Sequence, residues 1–399
     1  MKLSAPGLII VIPCHDEPGL LTTLDSLVSC HKPDCLVQVR VVINSAQDAA
    51  PEILQRNHKT LKAAQSWIAG RQTELLNFIL DNHPDLPPKH AGVGLARKIG
   101  MDAAAQSYKE SGYPGGPIVC LDADCTVAEN YLLALVEHFQ KHPKTPGCSI
   151  HYEHPLEWLS VRHRLGIVAY ELYLRYYRQG LRWAGHPGAF HTVGSSMAVR
   201  ADIYLQQGGM NRRKAGEDFY FLQKIIALGG FTEIVATQVN PSARRSLRVP
   251  FGTGRAMDEW LVSGEKTRLT YDPQVFKDLK FFFEQSHNLY EEKFVEPESK
   301  ALKEYLLQAD FAGALSKIRS NTSSRQALQK KFFHWFNLFR VLKFIHYATE
   351  FHYPKIPLAN ATESLWGWMG QPGTDEGRSE ESWLYALRQF EKNRILPEE

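Results

Sequence analysis

Residues Leu8–Cys14 read LIIVIPC, and His15-Asp16-Glu17-Pro18 follow directly. An uninterrupted apolar run of this kind is typical of a strand buried on both faces of a parallel sheet, and a polar loop marks its end. Leucines then recur at helical spacing through residues 20–27, and a second, valine-rich run occupies residues 37–44. A strand, a helix and a second strand in quick succession indicate a βαβ unit, so we predict an α/β fold.

Composition limits the classes of protein that the chain can belong to. The 399 residues are 44% hydrophobic and carry a formal net charge of +3, which is too balanced to favour nucleic acid as the main partner. Six cysteines occur without a Cys-x-x-Cys pair, which argues against a zinc knuckle. Because no apolar stretch reaches about 18 residues, we expect no membrane span. We therefore expect a cytoplasmic protein, with peripheral contact at the inner face of a membrane as an additional hypothesis.

Further elements follow from the same patterns along the rest of the chain. Residues 118–121 and 147–152 resemble short buried strands, and a helix is expected to open at Glu217. We predict helices over residues 52–82 and 156–183, and a helical region beyond the loop that ends near Arg255. This pattern divides the chain into an α/β domain at 1–257 and a helical C-terminal region at 258–399.

Two acidic motifs follow these elements. Asp122-Ala123-Asp124 comes directly after the strand at 118–121, at the edge of an α/β sheet where ligands bind. Two carboxylates so close together can hold Mg²⁺ or Mn²⁺ together with substrate phosphates, although a surface turn would show the same pattern. Gly216-Glu217-Asp218 either stabilises the start of a helix or supplies a general base.

Two basic segments are candidates for phosphate contact. Residues 92–98 carry glycines and cations at the start of a helix but lack the spacing of a P-loop. The loop with Arg244, Arg245, Arg248 and Arg255 combines arginines with two glycines. Either segment is equally compatible with a solvated basic loop.

Taken in order, the motifs resemble a known enzyme family. They are VIPCHDE at 11–17, the Arg97 segment at 94–100, LDAD at 121–124, GSSMAVR at 194–200, GGM at 208–210 and GED at 216–218. Over about residues 7–255 the chain resembles the family 2 glycosyltransferases of the GT-A fold. The resemblance implies a mixed, mainly parallel sheet flanked by helices, a nucleotide-diphosphate-sugar donor and a divalent cation, Mn²⁺ or Mg²⁺. The acceptor would be a carbohydrate, a lipid-linked molecule or a small molecule.

The resemblance also implies roles for individual residues. Donor contacts are implied at Pro13, His15, Glu17, Arg97, Asp122, Ala123, Gly194 and Ser195. The metal would be held by Asp124 and Asp122, with Asp124 as the direct ligand. In the Glu217-Asp218 motif, Asp218 matches the base that deprotonates the acceptor hydroxyl in inverting members.

The chain departs from the family pattern at three points. The second strand ends with Asn44 where an acidic segment usually reads the nucleobase, and an amide can donate as well as accept. No histidine lies between Asp218 and Arg255 to supply a late metal ligand, which leaves His151 and His191 as substitutes. Many members carry transmembrane helices, which are not expected here.

Three alternatives remain open at this point. Residues 149–152, SIHY, resemble retaining GT-A enzymes of the mannosylglycerate synthase type, in which Asp218 would not be the base. A nucleotidyltransferase also uses paired carboxylates, but its first loop is usually basic and rich in glycine. A non-catalytic nucleotide-sugar binding protein would not require both acidic motifs.

The tyrosines and arginines of the helix at 156–183 fit either internal packing or a platform for an acceptor or a membrane surface.

Overall fold

The structure is a computed structural model that describes residues 5–213, 216–246, 252–263, 268–291, 294–372 and 377–393. Eight strands form one sheet: β1 Leu8–Cys14, β2 Val37–Ala46, β3 Leu76–Leu86, β4 Pro117–Cys120, β5 Cys125–Val127, β6 Gly147–Tyr152, β7 Met197–Arg200 and β8 Thr232–Pro241. Their order across the sheet is β3-β2-β1-β4-β7-β6-β8-β5. Only β7 and β5 run antiparallel to their neighbours in this sheet. The expected α/β fold with a mixed, mainly parallel sheet is confirmed.

Helices flank the sheet and make up most of the C-terminal region. The first eight are α1 Leu20–Ser29, α2 Pro51–Ile68, α3 Val93–Glu110, α4 Tyr131–Lys141, α5 Val161–Trp183, α6 Ala201–Gln206, α7 Glu217–Ile226 and α8 Thr253–Ser263. Seven more follow: α9 Gln274–Gln285, α10 Lys300–Gln308, α11 Phe311–Ser320, α12 Arg325–Trp335, α13 Leu338–Phe351, α14 Leu358–Trp368 and α15 Glu380–Lys392. A two-stranded pair, β9 Leu269–Thr270 with β10 Ile356–Pro357, and a short 3₁₀ turn at Leu289–Glu291 complete the described elements.

The predicted helix over residues 52–82 is wrong in its second half. Helix α2 ends at Ile68, and β3 then pairs in parallel with β2 from Leu76 onward. Strand β3 lies at the edge of the sheet, where a proline such as Pro84 and polar side chains are tolerated. These residues remove the apolar pattern that would have indicated a strand.

The chain divides into two compact units. Residues 1–158 and 191–258 form the first, and residues 159–190 and 259–399 form the second. Residues 159–190, which contain α5, group with residues 259–399 in this division. The expected catalytic domain at 1–257 and helical region at 258–399 stay a prediction.

The tyrosines of α5 pack inside the second unit. The Tyr176 hydroxyl donates to the carbonyl oxygen of Tyr271 at 2.8 Å, and its ring lies 5.5 Å from that of Phe276. Tyr177 lies 6.4 Å from Phe276, measured between ring centroids. Internal packing is therefore the role that the structure gives to this face of the helix. No helix in the described ranges is long and apolar enough to cross a lipid bilayer.

A glycine in α3 sets how closely this helix approaches the sheet. A Cβ atom on Gly100 would lie 2.4 Å from Cγ1 of Val11 and 3.0 Å from Cγ2 of Val42. Both valines belong to fully buried strand positions and have no free space to move into. This close approach brings the first turns of α3 to the edge of the sheet.

We expect Gly100→Ala to destabilise the protein by about 1–3 kcal/mol, because the added methyl group overpacks the core. Gly367 in α14 is the matched control, since its Cβ would meet no atom of the described residues within 4 Å. There, alanine should be neutral or stabilising by about 0.4–1 kcal/mol. Urea unfolding followed by circular dichroism measures both variants, and equal midpoints would contradict the packing argument.

Candidate functional site

The loop after β1 is held against the end of β2. The ring nitrogen Nδ1 of His15 hydrogen-bonds the Asn44 carbonyl oxygen at 2.8 Å, and the Asn57 amide donates to the same oxygen at 2.9 Å. Asn57 Oδ1 also accepts from the backbone N–H of Asp16 at 2.9 Å. Asp16 has a φ of +51°, and Arg56 binds its carboxylate with two nitrogens. These contacts fix the polar loop at the carboxyl edge of the sheet.

Asn44 carries a buried acceptor at this edge. The side chain is 1% exposed, and within the described part of the chain its Oδ1 has no hydrogen-bond partner. A buried amide oxygen without a donor is costly, so such an atom marks a position where a ligand donor would be favourable.

Arg97 connects the two acidic motifs. Its guanidinium donates to Asp122 Oδ1 at 2.7 Å and to the carboxylate of Glu217, which lies 120 residues further along the chain. Arg97 and Glu217 are 2% and 3% exposed, so this pair is removed from water. Burial lowers the pKa of Arg97, but the carboxylates of Asp122 and Glu217 outweigh it and raise that pKa above its ordinary value.

Arg244 makes a second bridge at the same edge. Its guanidinium donates to Glu17, in the loop after β1, and to Asp124 Oδ2 at 3.2 and 3.3 Å. Two other arginines of this loop, Arg245 and Arg255, pair with Asp258. Arg248 lies outside the described residues. Asp122 and Asp124 therefore each have an arginine partner.

Asp218 lies beside this cluster. Its Oδ2 accepts the backbone N–H of Gly194 at 2.8 Å, and its Oδ1 accepts that of Phe219 at 2.7 Å. Burial raises the pKa of Asp218, and the positive charge of Arg97 partly offsets the rise. The pKa of Glu217 is raised for the same reasons. A carboxylate whose pKa is raised is a better proton acceptor at neutral pH.

Glycines allow the close contacts of the cluster. A Cβ on Gly194 would lie 2.8 Å from the Arg97 guanidinium, and one on Gly94 would lie 2.1 Å from the carbonyl oxygen of Arg213. Ser195, the next residue after Gly194, is buried and lies near Cys125. The segment at 194–195 therefore packs directly against the residues around Asp122.

The carboxylates suit a hard divalent cation, but only as a pair. Among the described residues, no three His, Cys, Asp or Glu side chains come together as a metal-binding group. Asp122 and Asp124 are partly exposed and could offer oxygen atoms, with substrate oxygens completing the coordination. His151 hydrogen-bonds Glu153 at 2.9 Å, and His191 lies 5.1 Å from the ring of Tyr152, so each has another contact.

The structure thus brings together most of the residues singled out from sequence. His15 bonds the Asn44 backbone, and Arg244 joins Glu17 to Asp124. Asp122 and Glu217 pair with Arg97, and Asp218 accepts the N–H of the neighbouring Gly194. Pro13 lies within β1, and Ala123 accepts a hydrogen bond from Thr23 at 2.9 Å. Sequence reasoning missed Asn57, because a single polar residue in a helix gives no signal of its partners.

Comparison with known proteins gives distant structural similarity. No family model and no curated protein matches the chain. Among solved structures, residues 1–349 of S. aureus TarS in complex with UDP-GlcNAc superpose with a TM-score of 0.43 at 12% identity, covering 86% of this chain and 91% of that one. The complex of the same protein with UDP gives a TM-score of 0.41 at 12% identity, covering 86% and 90%. Because these TM-scores lie below 0.5, we base the function on the residues of this chain.

Proposed function

We propose that the chain is a glycosyltransferase that moves a sugar from a nucleotide-diphosphate sugar to an acceptor hydroxyl. The observation that carries this proposal is the meeting of Asp122, Glu217 and Asp218 around the buried Arg97, at the carboxyl edge of the sheet. One motif would bind the donor, and the other would serve the acceptor. Membership of family 2, the identity of the cation and a cytoplasmic location remain predictions.

The donor side of the site combines a hydrogen-bond acceptor on Asn44 with two aspartate carboxylates and two arginines. Asp124 and Asp122 would hold a divalent cation, which offsets diphosphate charge and helps the nucleotide leave. Arg97 and Arg244 place positive charge at the same edge, where the developing negative charge of the leaving group needs it. The Oδ1 of Asn44, which has no hydrogen-bond partner among the residues that the structure describes, would accept an N–H from the base, beside the loop that His15 and Asn57 hold in place.

Asp218 is the residue that we assign to the acceptor. Its two backbone hydrogen bonds, from Gly194 and Phe219, fix the carboxylate, and its raised pKa favours proton uptake. In an inverting reaction it would take the proton of the acceptor hydroxyl as the hydroxyl oxygen attacks the anomeric carbon. Glu217 would keep Arg97 in position rather than contact the acceptor.

A thermal-shift screen of nucleotide sugars, with and without Mn²⁺, tests the donor site. A ligand that binds only the folded protein stabilises it by about 2.7 kcal/mol at a concentration 100-fold above its Kd. We expect at least one nucleotide sugar to raise the Tm, and Mn²⁺ to increase the shift. Asp124→Asn should abolish the Mn²⁺-dependent part.

Asp81→Asn is the matched control, because Asp81 is also paired with an arginine, Arg40, at 2.6 Å. This variant should keep the full shift. If no nucleotide sugar stabilised the wild-type protein, or if both variants responded alike, the proposed donor site would be refuted.

A further inference from the structure

The second unit contains a cavity that the proposed reaction does not use. It has a volume of about 660 Å³, which falls within the range of about 300–1,000 Å³ for small-molecule sites. Helices α5, α14 and α15 supply most of its walls. A site built on helices rather than on loops holds its side chains in defined positions.

Aromatic rings form the apolar part of the wall. Trp183, Trp366 and Phe390 line the cavity and are half-buried. The ring of Trp183 already lies 5.3 Å from that of Trp368, and the Lys280 ammonium is 4.9 Å from its centroid, so Trp366 is the indole left for a ligand. The indole N–H of Trp183 donates to the Trp368 carbonyl oxygen at 2.9 Å, and that of Trp366 donates to the Pro372 carbonyl oxygen at 3.1 Å. Because both N–H groups are satisfied by backbone, each indole offers a ligand only its ring.

Amide side chains form most of the polar part of the cavity wall. The cavity is lined by Gln179, Gln371, Gln389 and Asn393. Each amide carries both a donor and an acceptor, and a sugar hydroxyl likewise donates and accepts. Gln179 Nε2 donates to the buried Glu391 at 2.7 Å, and Glu391 also lies 3.1 Å from Arg178, so this amide is fixed in orientation.

The charge of the wall argues against other ligand classes. Arg182 is the one charged side chain among the described residues that line the cavity. A divalent cation would require carboxylates, and a nucleotide diphosphate would favour more than one cation. A lipid chain would offer no hydrogen bond to the amides of Gln371, Gln389 and Asn393. A neutral ligand with apolar faces and many hydroxyls matches both parts of the wall.

We propose that this cavity binds a carbohydrate chain. The C–H groups on one face of a sugar ring carry partial positive charge and would stack on the electron-rich face of Trp366. Hydroxyls at the rim of the ring would exchange hydrogen bonds with Gln371 and Gln389. The site lies within the second unit and does not depend on the nucleotide-sugar site, so each proposal can fail separately.

A glycan array probed with the labelled 399-residue chain tests the proposal. The array should carry neutral and anionic oligosaccharides of hexoses, hexosamines and pentoses. We expect binding to at least one neutral class, and titration calorimetry with the best neutral oligosaccharide should show a Kd about tenfold higher for Trp366→Ala. Trp335→Ala is the matched control, because Trp335 is a half-buried tryptophan of the same unit that does not line the cavity.

Gln389→Ala provides a second variant that should fold normally, since Gln389 is exposed on α15. Loss of its hydrogen bond should raise the Kd about fivefold. Absence of binding to every neutral glycan would overturn the proposal, and so would oligosaccharide affinity that neither variant changes. Thermal shifts with nucleotide sugars, measured on the same variants, should match the wild type.

Discussion

Asp218→Asn is expected to lower kcat for sugar transfer by about 10²–10⁴, the range that general base catalysis contributes. Asparagine has nearly the same shape as aspartate. Its oxygen can still accept a hydrogen bond from Gly194 or Phe219. It cannot take a proton at neutral pH, so the variant removes the base while preserving the geometry of the segment.

The pKa of Asp218 adds a second expectation. Burial raises this pKa, so the carboxylate becomes available only above the ordinary aspartate value of about 3.9. We expect the acidic limb of kcat/KM in the wild-type enzyme to lie above that value, since the protonated form is inactive. The limb should be absent from the residual activity of the asparagine variant.

Asp202→Asn is the control that distinguishes the loss of a catalytic base from the loss of an aspartate at the start of a helix. Asp202 also lies in the first turn of a helix, α6, and its Oδ1 accepts the backbone N–H of Ile203 at 2.8 Å. This control should keep wild-type kcat. Donor-induced thermal shifts should be the same for both variants, because neither residue is assigned to the donor.

The anomeric configuration of the product is the most direct test of the mechanism. Inversion is expected if Asp218 acts as the base for a single displacement. Retention, read by NMR of the product, would remove Asp218 from that role and favour the mannosylglycerate synthase type of reaction. Unchanged kcat in Asp218→Asn would contradict the assignment independently of stereochemistry.

The residues that sequence could predict are those whose signal is local. A buried strand followed by polar residues indicates a sheet edge, which is why the loop at 15–17 and the pair Asp122 and Asp124 were found. Glu217 was recognised from another local signal, an acidic motif at the start of a helix. Their partners could not be predicted, because Arg97 and Glu217 are 120 residues apart and no local pattern joins them.

The errors in the fold prediction have a related cause. Strand β3 lies at an edge of the sheet, and many of its residues are polar and partly exposed. Its sequence therefore lacks the clear alternation of apolar and polar residues that would indicate a strand. Helix α5 carries an amphipathic pattern, which shows that one face is buried but not which unit covers it. Only long-range contacts, such as that between Tyr176 and Tyr271, assign the helix to the C-terminal unit.

Arg97→Met is expected to destabilise the protein by about 3–5 kcal/mol, the cost of leaving a buried charge without its partner. Methionine retains much of the apolar volume of arginine, so the change removes mainly the charge and its hydrogen bonds. Glu217, at 3% exposure, would then lose its cation, and Asp122 would lose its contact at 2.7 Å. Urea unfolding measures the loss.

Arg40→Met is the matched control, since Arg40 also pairs with an aspartate, but its partner Asp81 is 25% exposed and can be hydrated. We expect a smaller loss there. The double variant Arg97→Met/Glu217→Gln should recover most of the stability lost in Arg97→Met, because the uncompensated charge is then absent. If the double variant were as unstable as the single one, packing rather than charge would explain the effect.

The pH dependence of this loss distinguishes charge from packing. Burial already raises the pKa of Glu217 and Asp218 in the folded protein, and Arg97 limits the rise. Without Arg97 both values should rise further. A carboxyl group with a raised folded-state pKa favours folding below its unfolded pKa of about 4, and that contribution is lost as pH rises through the folded value. The loss in free energy of unfolding caused by Arg97→Met should therefore be largest at neutral pH and should shrink on acidification. A packing defect would give the same loss at every pH. The pH series therefore decides whether Arg97 serves this site as a buried counter-charge.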